Sequence, residues 1–219
     1  MAKSVTEALF EQVLEGMHYA PTITVSEHDQ LQEVDCWLQG LGAFPGLLIL
    51  GEGDANRKAL MRTIYNICRD YPKNPKAFKK FHLRPDLCAA GLKGVASTTI
   101  VEAAHNSGRF GLFGPYSEFM KDGPLLINGV GAAYEEPFII YHGLNPEYTA
   151  TITEKIYPVV ELVERRLQKG LPTIIASSLS SEGIRAKYGY CGAEFWDILI
   201  DFSHPVRFKY GNEHIFYYE

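Results

Sequence analysis

Gly123-Pro124-Leu125-Leu126-Ile127-Asn128, read with Phe202-Ser203-His204-Pro205 near the end of the chain, decides how the sequence is organised. Each is a short apolar run that stops on a side chain able to donate and accept hydrogen bonds, as parallel strands do where they deliver polar groups to a site. A third run, Gly46-Leu47-Leu48-Ile49-Leu50, breaks into Gly51-Glu52-Gly53-Asp54-Ala55-Asn56 and would place a flexible acidic loop beside the other two. These three ends predict one pocket.

The chain of 219 residues is 46% hydrophobic, enough for one sizeable core, so a single domain spanning residues 1–219 is expected, with a helical segment over about 1–44. No basic-then-apolar leader opens it, and no apolar run approaches the roughly 20 residues of a membrane span, so a soluble, intracellular protein without a membrane partner is expected. Cys36, Cys68, Cys88 and Cys191 have neither Cys-x-x-Cys nor Cys/His spacing, which predicts reduced structural thiols and no metal site. A formal net charge of -5 gives no global attraction to nucleic acid, so any DNA contact must be local.

Along the chain, Ser4-Val5-Thr6-Glu7 has capping-box spacing and predicts a first helix. Ser26 or Asp29 would start a second, with Leu31, Val34, Leu38 and Leu41 on one face and Gly40 and Gly42 ending it. The Gly46 run predicts a buried strand, and Leu60, Ile64 and Ile67 a helix closed at Tyr71-Pro72. Residues 72–93 read as irregular and basic, with Lys73, Lys76, Lys79, Lys80 and Arg84 among Phe78, Phe81 and His82; a solvated face is the plainer reading and a nucleic-acid surface the sharper one.

Residues 97–106 read as a short helix, 108–115 as glycine-rich turns, and 138–142 as a strand ending at His142. Residues 151–169 predict an amphipathic helix in which Pro158 is either a kink or the true first turn, stopped by Gly170. Pro172 to Ala176 predicts a buried strand, Ser180 to Lys187 a short helix, and Trp196 to Phe202 the last long strand. The alternation predicts an α/β protein with a mainly parallel sheet.

The order of the last hundred residues resembles the uracil-DNA glycosylase superfamily, whose late motifs run strand-Asn, Ser-His, amphipathic helix, apolar strand, His-Pro. Here these are Gly123 to Asn128, Tyr141-His142-Gly143, the helix from Thr151, Pro172 to Ser177, and His204-Pro205, while Leu47 to Glu52 resembles the strand entering that family's water-activating loop. The resemblance implies a three-layer α/β/α sandwich and hydrolysis of the N-glycosidic bond of a flipped uracil or related base in DNA. It gives Asn128 the base edge, His204 the oxygen that gains charge, and an acidic loop residue the water and cationic sugar. Phe208, flanked by Arg207 and Lys209, would wedge into the opened duplex. No cofactor or metal is implied, DNA is the implied partner, a protein partner is a further one, and a monomer is expected.

This chain departs from the pattern. Gly53 stands where the family has its loop Asp, so Glu52 or Asp54 would have to substitute; the loop Pro and Tyr are absent, and Tyr65 is the nearest aromatic to a stacking residue. His204-Pro205-Val206-Arg207-Phe208-Lys209 lacks the phosphate-holding serine. Each site residue also has a structural reading: Asn128 as a loop cap, His204 as a satisfied turn histidine, Asp54 as a helix N-cap, and Phe208 as core with Phe216, Tyr217 and Tyr218. Two other classes compete, a non-catalytic protein of the same fold acting as a binding subunit and a shell-forming structural protein. An ADP-ribosyltransferase reading lacks the expected Glu-x-Glu.

Overall fold

The computed structural model describes residues 3–19, 23–51, 54–90, 93–96, 125–127, 130–132, 138–141 and 158–208. In chain order these form helices α1 (Val5–Gly16) and α2 (Val25–Leu38), strand β1 (Gly46–Gly51), and helices α3 (Asp54–Asp70) and α4 (Pro85–Ala90). Strands β2 (Lys93–Ala96), β3 (Leu125–Ile127), β4 (Val130–Ala132) and β5 (Phe138–Tyr141) follow, then helix α5 (Pro158–Gln168) and strand β6 (Thr173–Ser177). Helices α6 (Ser181–Lys187) and α7 (Gly192–Phe202) and strand β7 (Ser203–Phe208) complete them.

Leu47, Leu48 and Ile49 of β1 have no solvent exposure. Such an unbroken apolar run suits a parallel strand covered on both faces. β1 pairs in parallel with β6 on one side and β7 on the other, within a five-stranded sheet of order β2-β5-β6-β1-β7 whose pairings are all parallel. Alternate side chains split between two cores. Leu47, Ile49, Ile174, Ala176, Val206 and Phe208 pack with α1, α2 and α3, whereas Leu48, Leu50 and Ile175 pack with α5, α6 and α7. The protein is therefore α/β with helices on both faces of a parallel sheet.

Local signals account for several helix ends. Ser4 Oγ accepts from the Glu7 N–H at 3.1 Å, as its position predicts. α2 starts earlier than Ser26, because Thr24 and Glu27 form a reciprocal capping box. α2 then runs along β7, where Gln30 Oε1 accepts the Arg207 N–H, so it satisfies part of that edge strand. Pro158 is the first residue of α5, where its missing N–H costs nothing. Gly170 follows with φ +71°.

Three expectations fail. Trp196 to Phe202 is helix, not strand: Phe195, Trp196 and Leu199 are buried while Glu194, Asp197 and Asp201 are exposed, an arrangement of helical period. Leu125 to Ile127 is not a strand of the parallel sheet but pairs antiparallel with β4 as a separate hairpin. Residues 72–93 are not irregular throughout but contain α4, whereas the solvated-face reading holds at Lys73, Lys76, Lys79 and Lys80, which are exposed, while Phe78 and Phe81 pack with Tyr71 at centroid distances of 5.4 and 6.0 Å. The readings at 97–106, 108–115 and 151–157 lie outside the described residues.

Two contacts fix the layers. Asp35 of α2 accepts from the N–H groups of Val5 and Thr6, each at 2.9 Å, and from the Thr6 hydroxyl, thereby capping α1 from a neighbouring helix. At Gly46 a Cβ would lie 2.2 Å from Ser203 Oγ and 2.7 Å from Leu167 Cδ2, so only glycine lets β1 start against β7 and α5.

Asp35→Ala should cost about 1–3 kcal/mol, because it leaves buried donors unpaired, and Gly46→Ala a similar amount through overpacking; chemical denaturation measures both. Burial pushes the Cys68 thiol up to about 12, whereas Cys36 is exposed. In the native protein at pH 8, a thiol reagent should therefore label Cys36 and spare Cys68, and equal labelling by peptide mass spectrometry would contradict this core.

Candidate functional site

In a parallel sheet, ligands bind beyond the carboxyl ends of the strands. Here that edge is formed by Gly51, Ser177 and Phe208, since Leu50 pairs with Ser177 and Gly51 with Phe208. Gly51 is close to β7: a Cβ there would lie 3.1 Å from that of Phe208. Ser177 is fully buried and its Oγ accepts the Leu179 N–H at 3.0 Å, which shapes the turn after β6. Directly after β1, α3 begins at Asp54, and the amide groups of its first turn face no helical partner.

Two residues of this first turn escaped the sequence reading. Asn56 and Arg57 are almost fully buried, at 3% and 4% exposure, and Arg57 Nη1 donates to the Gly51 carbonyl. A cation at a helix N-terminus runs against the helix dipole, so its place there calls for oxygen acceptors. Counted from Gly51, Asn56, Arg57 and Lys58 stand at the positions where the phosphate-loop pattern Gly-x-x-x-x-Gly-Lys-Ser/Thr has its second glycine, lysine and hydroxyl residue, so Gly51 alone of its four defined positions matches. The strand-loop-helix context that gives such a match meaning is present.

The glycosylase residues are distributed differently. His204 does not end a strand; it is the second residue of β7 and pairs with Leu47. Four residues of strand, about 13 Å at ~3.3 Å each, therefore separate its level from that of Gly51, which precedes Glu52 and Asp54. His204 Nε2 lies 2.5 Å from Glu33 Oε2 of α2, an ion-pair distance without hydrogen-bond alignment. Asp54 is the first residue of α3, not a cap preceding it.

Phe208 is no exposed wedge. It is 6% exposed and stacks on Phe10, with centroids 5.8 Å apart and planes 10° apart, because its position in β7 faces the α1 side. Arg207 is exposed and its N–H is held by Gln30. Tyr65 lies three turns along α3 from the loop, with the Arg69 guanidinium 6.0 Å from its ring centroid. Asn128, Glu52, Gly53, His142 and Lys209 lie outside the described residues. No helix among the described residues is long and apolar enough to cross a membrane.

Phe208→Ala should lower stability by about 3–5 kcal/mol, as removal of a buried aromatic does. A change within 0.5 kcal/mol by urea unfolding would contradict its core placement and return it to the surface.

No family model, curated protein or solved structure matches this chain.

Proposed function

We propose that this protein is a nucleotide-binding α/β domain of phosphate-loop type that binds the phosphates of a nucleoside di- or triphosphate without turning them over efficiently, and so acts as a binding or regulatory subunit. The observation that carries this reading is the passage from the carboxyl end of β1, through a loop opening at Gly51, straight into the 17-residue helix α3, with Arg57 turned back onto the Gly51 carbonyl. An anion held beyond Gly51 would meet the amide donors and favourable dipole of the α3 amino terminus, with the Arg57 guanidinium, itself bonded to the Gly51 carbonyl, at the same end of the helix. Arg57 would bind phosphate oxygens through its planar fork where a phosphate loop normally offers a lysine point charge.

The same substitutions argue against efficient hydrolysis. Lys58 occupies the position whose hydroxyl normally holds magnesium, and a second cation there would repel the metal. Uracil excision has its support in the order of the sequence motifs. It requires His204 and an acidic loop residue to act on one glycosidic bond, and His204 pairs with Leu47, four residues of strand before Gly51. The Arg57–Gly51 contact at the head of α3 is what supports phosphate binding over excision.

Thermal shift and isothermal titration with AMP, ADP and ATP, each with and without magnesium, test the proposal. ADP and ATP should raise the melting temperature and AMP should do so least; Arg57→Lys should keep binding and Arg57→Ala should lose it. Phosphate release should stay at the no-protein level. No shift at millimolar nucleotide with folded protein would overturn the reading, and excision of uracil from a labelled single-stranded oligonucleotide, lost in Asp54→Asn, would restore the glycosylase one.

A further inference from the structure

We propose that the segment from Lys73 to Arg84, together with Leu41 and Phe44 of the α2–β1 connection, forms a face that binds single-stranded nucleic acid. Between Tyr71 and Pro85 the chain carries Lys73, Lys76, Lys79, Lys80 and Arg84 and no acidic residue, in a protein whose formal net charge is -5. Among the described residues, Lys73 reaches Asp70 only at 4.0 Å and Arg84 pairs with Asp86 at 2.7 Å. Lys76, Lys79 and Lys80 are exposed, with no acidic partner among those residues. Three solvated ammonium groups within five residues form a strip suited to successive phosphates of a backbone.

This strip is held in place. Phe78 and Phe81 anchor it against Tyr71, and Lys79 itself takes a φ of +54°, a conformation that residues with side chains rarely adopt. On its other flank the Arg84 N–H donates to the Leu38 carbonyl at 2.8 Å, and the guanidinium lies 5.4 Å from the Trp37 ring. Trp37 Nε1 in turn donates to the Phe44 carbonyl at 3.1 Å, which brings the α2–β1 connection against the basic strip.

That connection bears Leu41 at 73% and Phe44 at 37% exposure, two of the few large apolar side chains left in water among the described residues. A cationic track beside an exposed aromatic is the arrangement that holds unpaired bases: phosphates on the lysines, a base on the ring. An acidic lipid surface fits less well, because the aromatics within the strip are already committed to the core. The face lies at the amino-terminal edge of the sheet, where the connection feeds β1, and so at the opposite edge from Gly51. It is independent of the nucleotide reading, and a strand and a nucleotide could be bound at once.

Fluorescence anisotropy with labelled oligo-dT and oligo-U of about 15 nucleotides, a matched duplex, and co-sedimentation with phosphatidylserine vesicles form the test. The wild type should bind both single strands more tightly than the duplex. Combined Lys76→Glu, Lys79→Glu and Lys80→Glu should weaken binding at least tenfold, and the Gln versions should flatten the log–log salt slope by about 2. Phe44→Ala should weaken it about tenfold at an unchanged salt slope, whereas Lys187→Glu on α6 should leave it alone. Unchanged affinity in the triple variant, equal loss in Lys187→Glu, preference for duplex, or binding to vesicles but not to oligonucleotides would each overturn the assignment, with circular dichroism confirming that every variant is folded.

Discussion

The pairing of β1 on both edges is the constraint on which the structure depends. A six-residue strand with parallel neighbours on either side and helices above and below can present almost no polar side chain, and Gly46-Leu-Leu-Ile-Leu-Gly51 presents none. Its two glycines mark its limits. Gly46 admits Ser203 and Leu167 to the start of the strand, and Gly51 admits Phe208 at its end. Between them, the alternation of Leu47 and Ile49 against Leu48 and Leu50 gives each helical layer its share of the core. Each such buried side chain contributes about 1.5–3 kcal/mol, so the layers and the strand stabilise one another.

This arrangement separates two edges with different chemistry. At the carboxyl edge the strands release the chain into Gly51 and the head of α3, where amide donors and Arg57 gather. At the amino edge lie Ser203 and His204, and the carboxyl end of α2, whose Leu38 and Trp37 meet Arg84. The helix α2 spans the distance between them along β7, with Gln30 against Arg207 and Glu33 against His204. His204 and Gly51, which read as neighbouring strand ends in the sequence, thus lie at different levels of the sheet.

What was legible in the sequence follows from how local each signal is. Gly46 to Leu50, Thr173 to Ala176 and the helices around Leu60 and Val163 carry unambiguous runs or periods, and each forms the predicted element. Trp196 to Phe202 is apolar on five of seven positions, so strand and helix periods fit it equally; only the exposure of Asp197 and Asp201 on one side resolves it. The run before Asn128 looked like a parallel strand because its partner was unknown. Yet Asn128-Gly129 between two short apolar runs is a hairpin signal, and β3 and β4 do pair antiparallel. The aromatics of the basic segment could not be assigned to core or surface without Tyr71 beside them. Arg57 carried no signal of its own in the sequence, and only the position of α3 directly after β1, with the guanidinium on the Gly51 carbonyl, makes it stand out.

Hydrogen exchange measured by mass spectrometry, with and without saturating ADP, addresses the central claim that the functional edge is the one at Gly51. Exchange should slow in peptides covering residues 50–60 and after Ser177, with peptides covering Glu33 and His204 unchanged. Protection at Glu33 and His204 with none at residues 50–60 would contradict it.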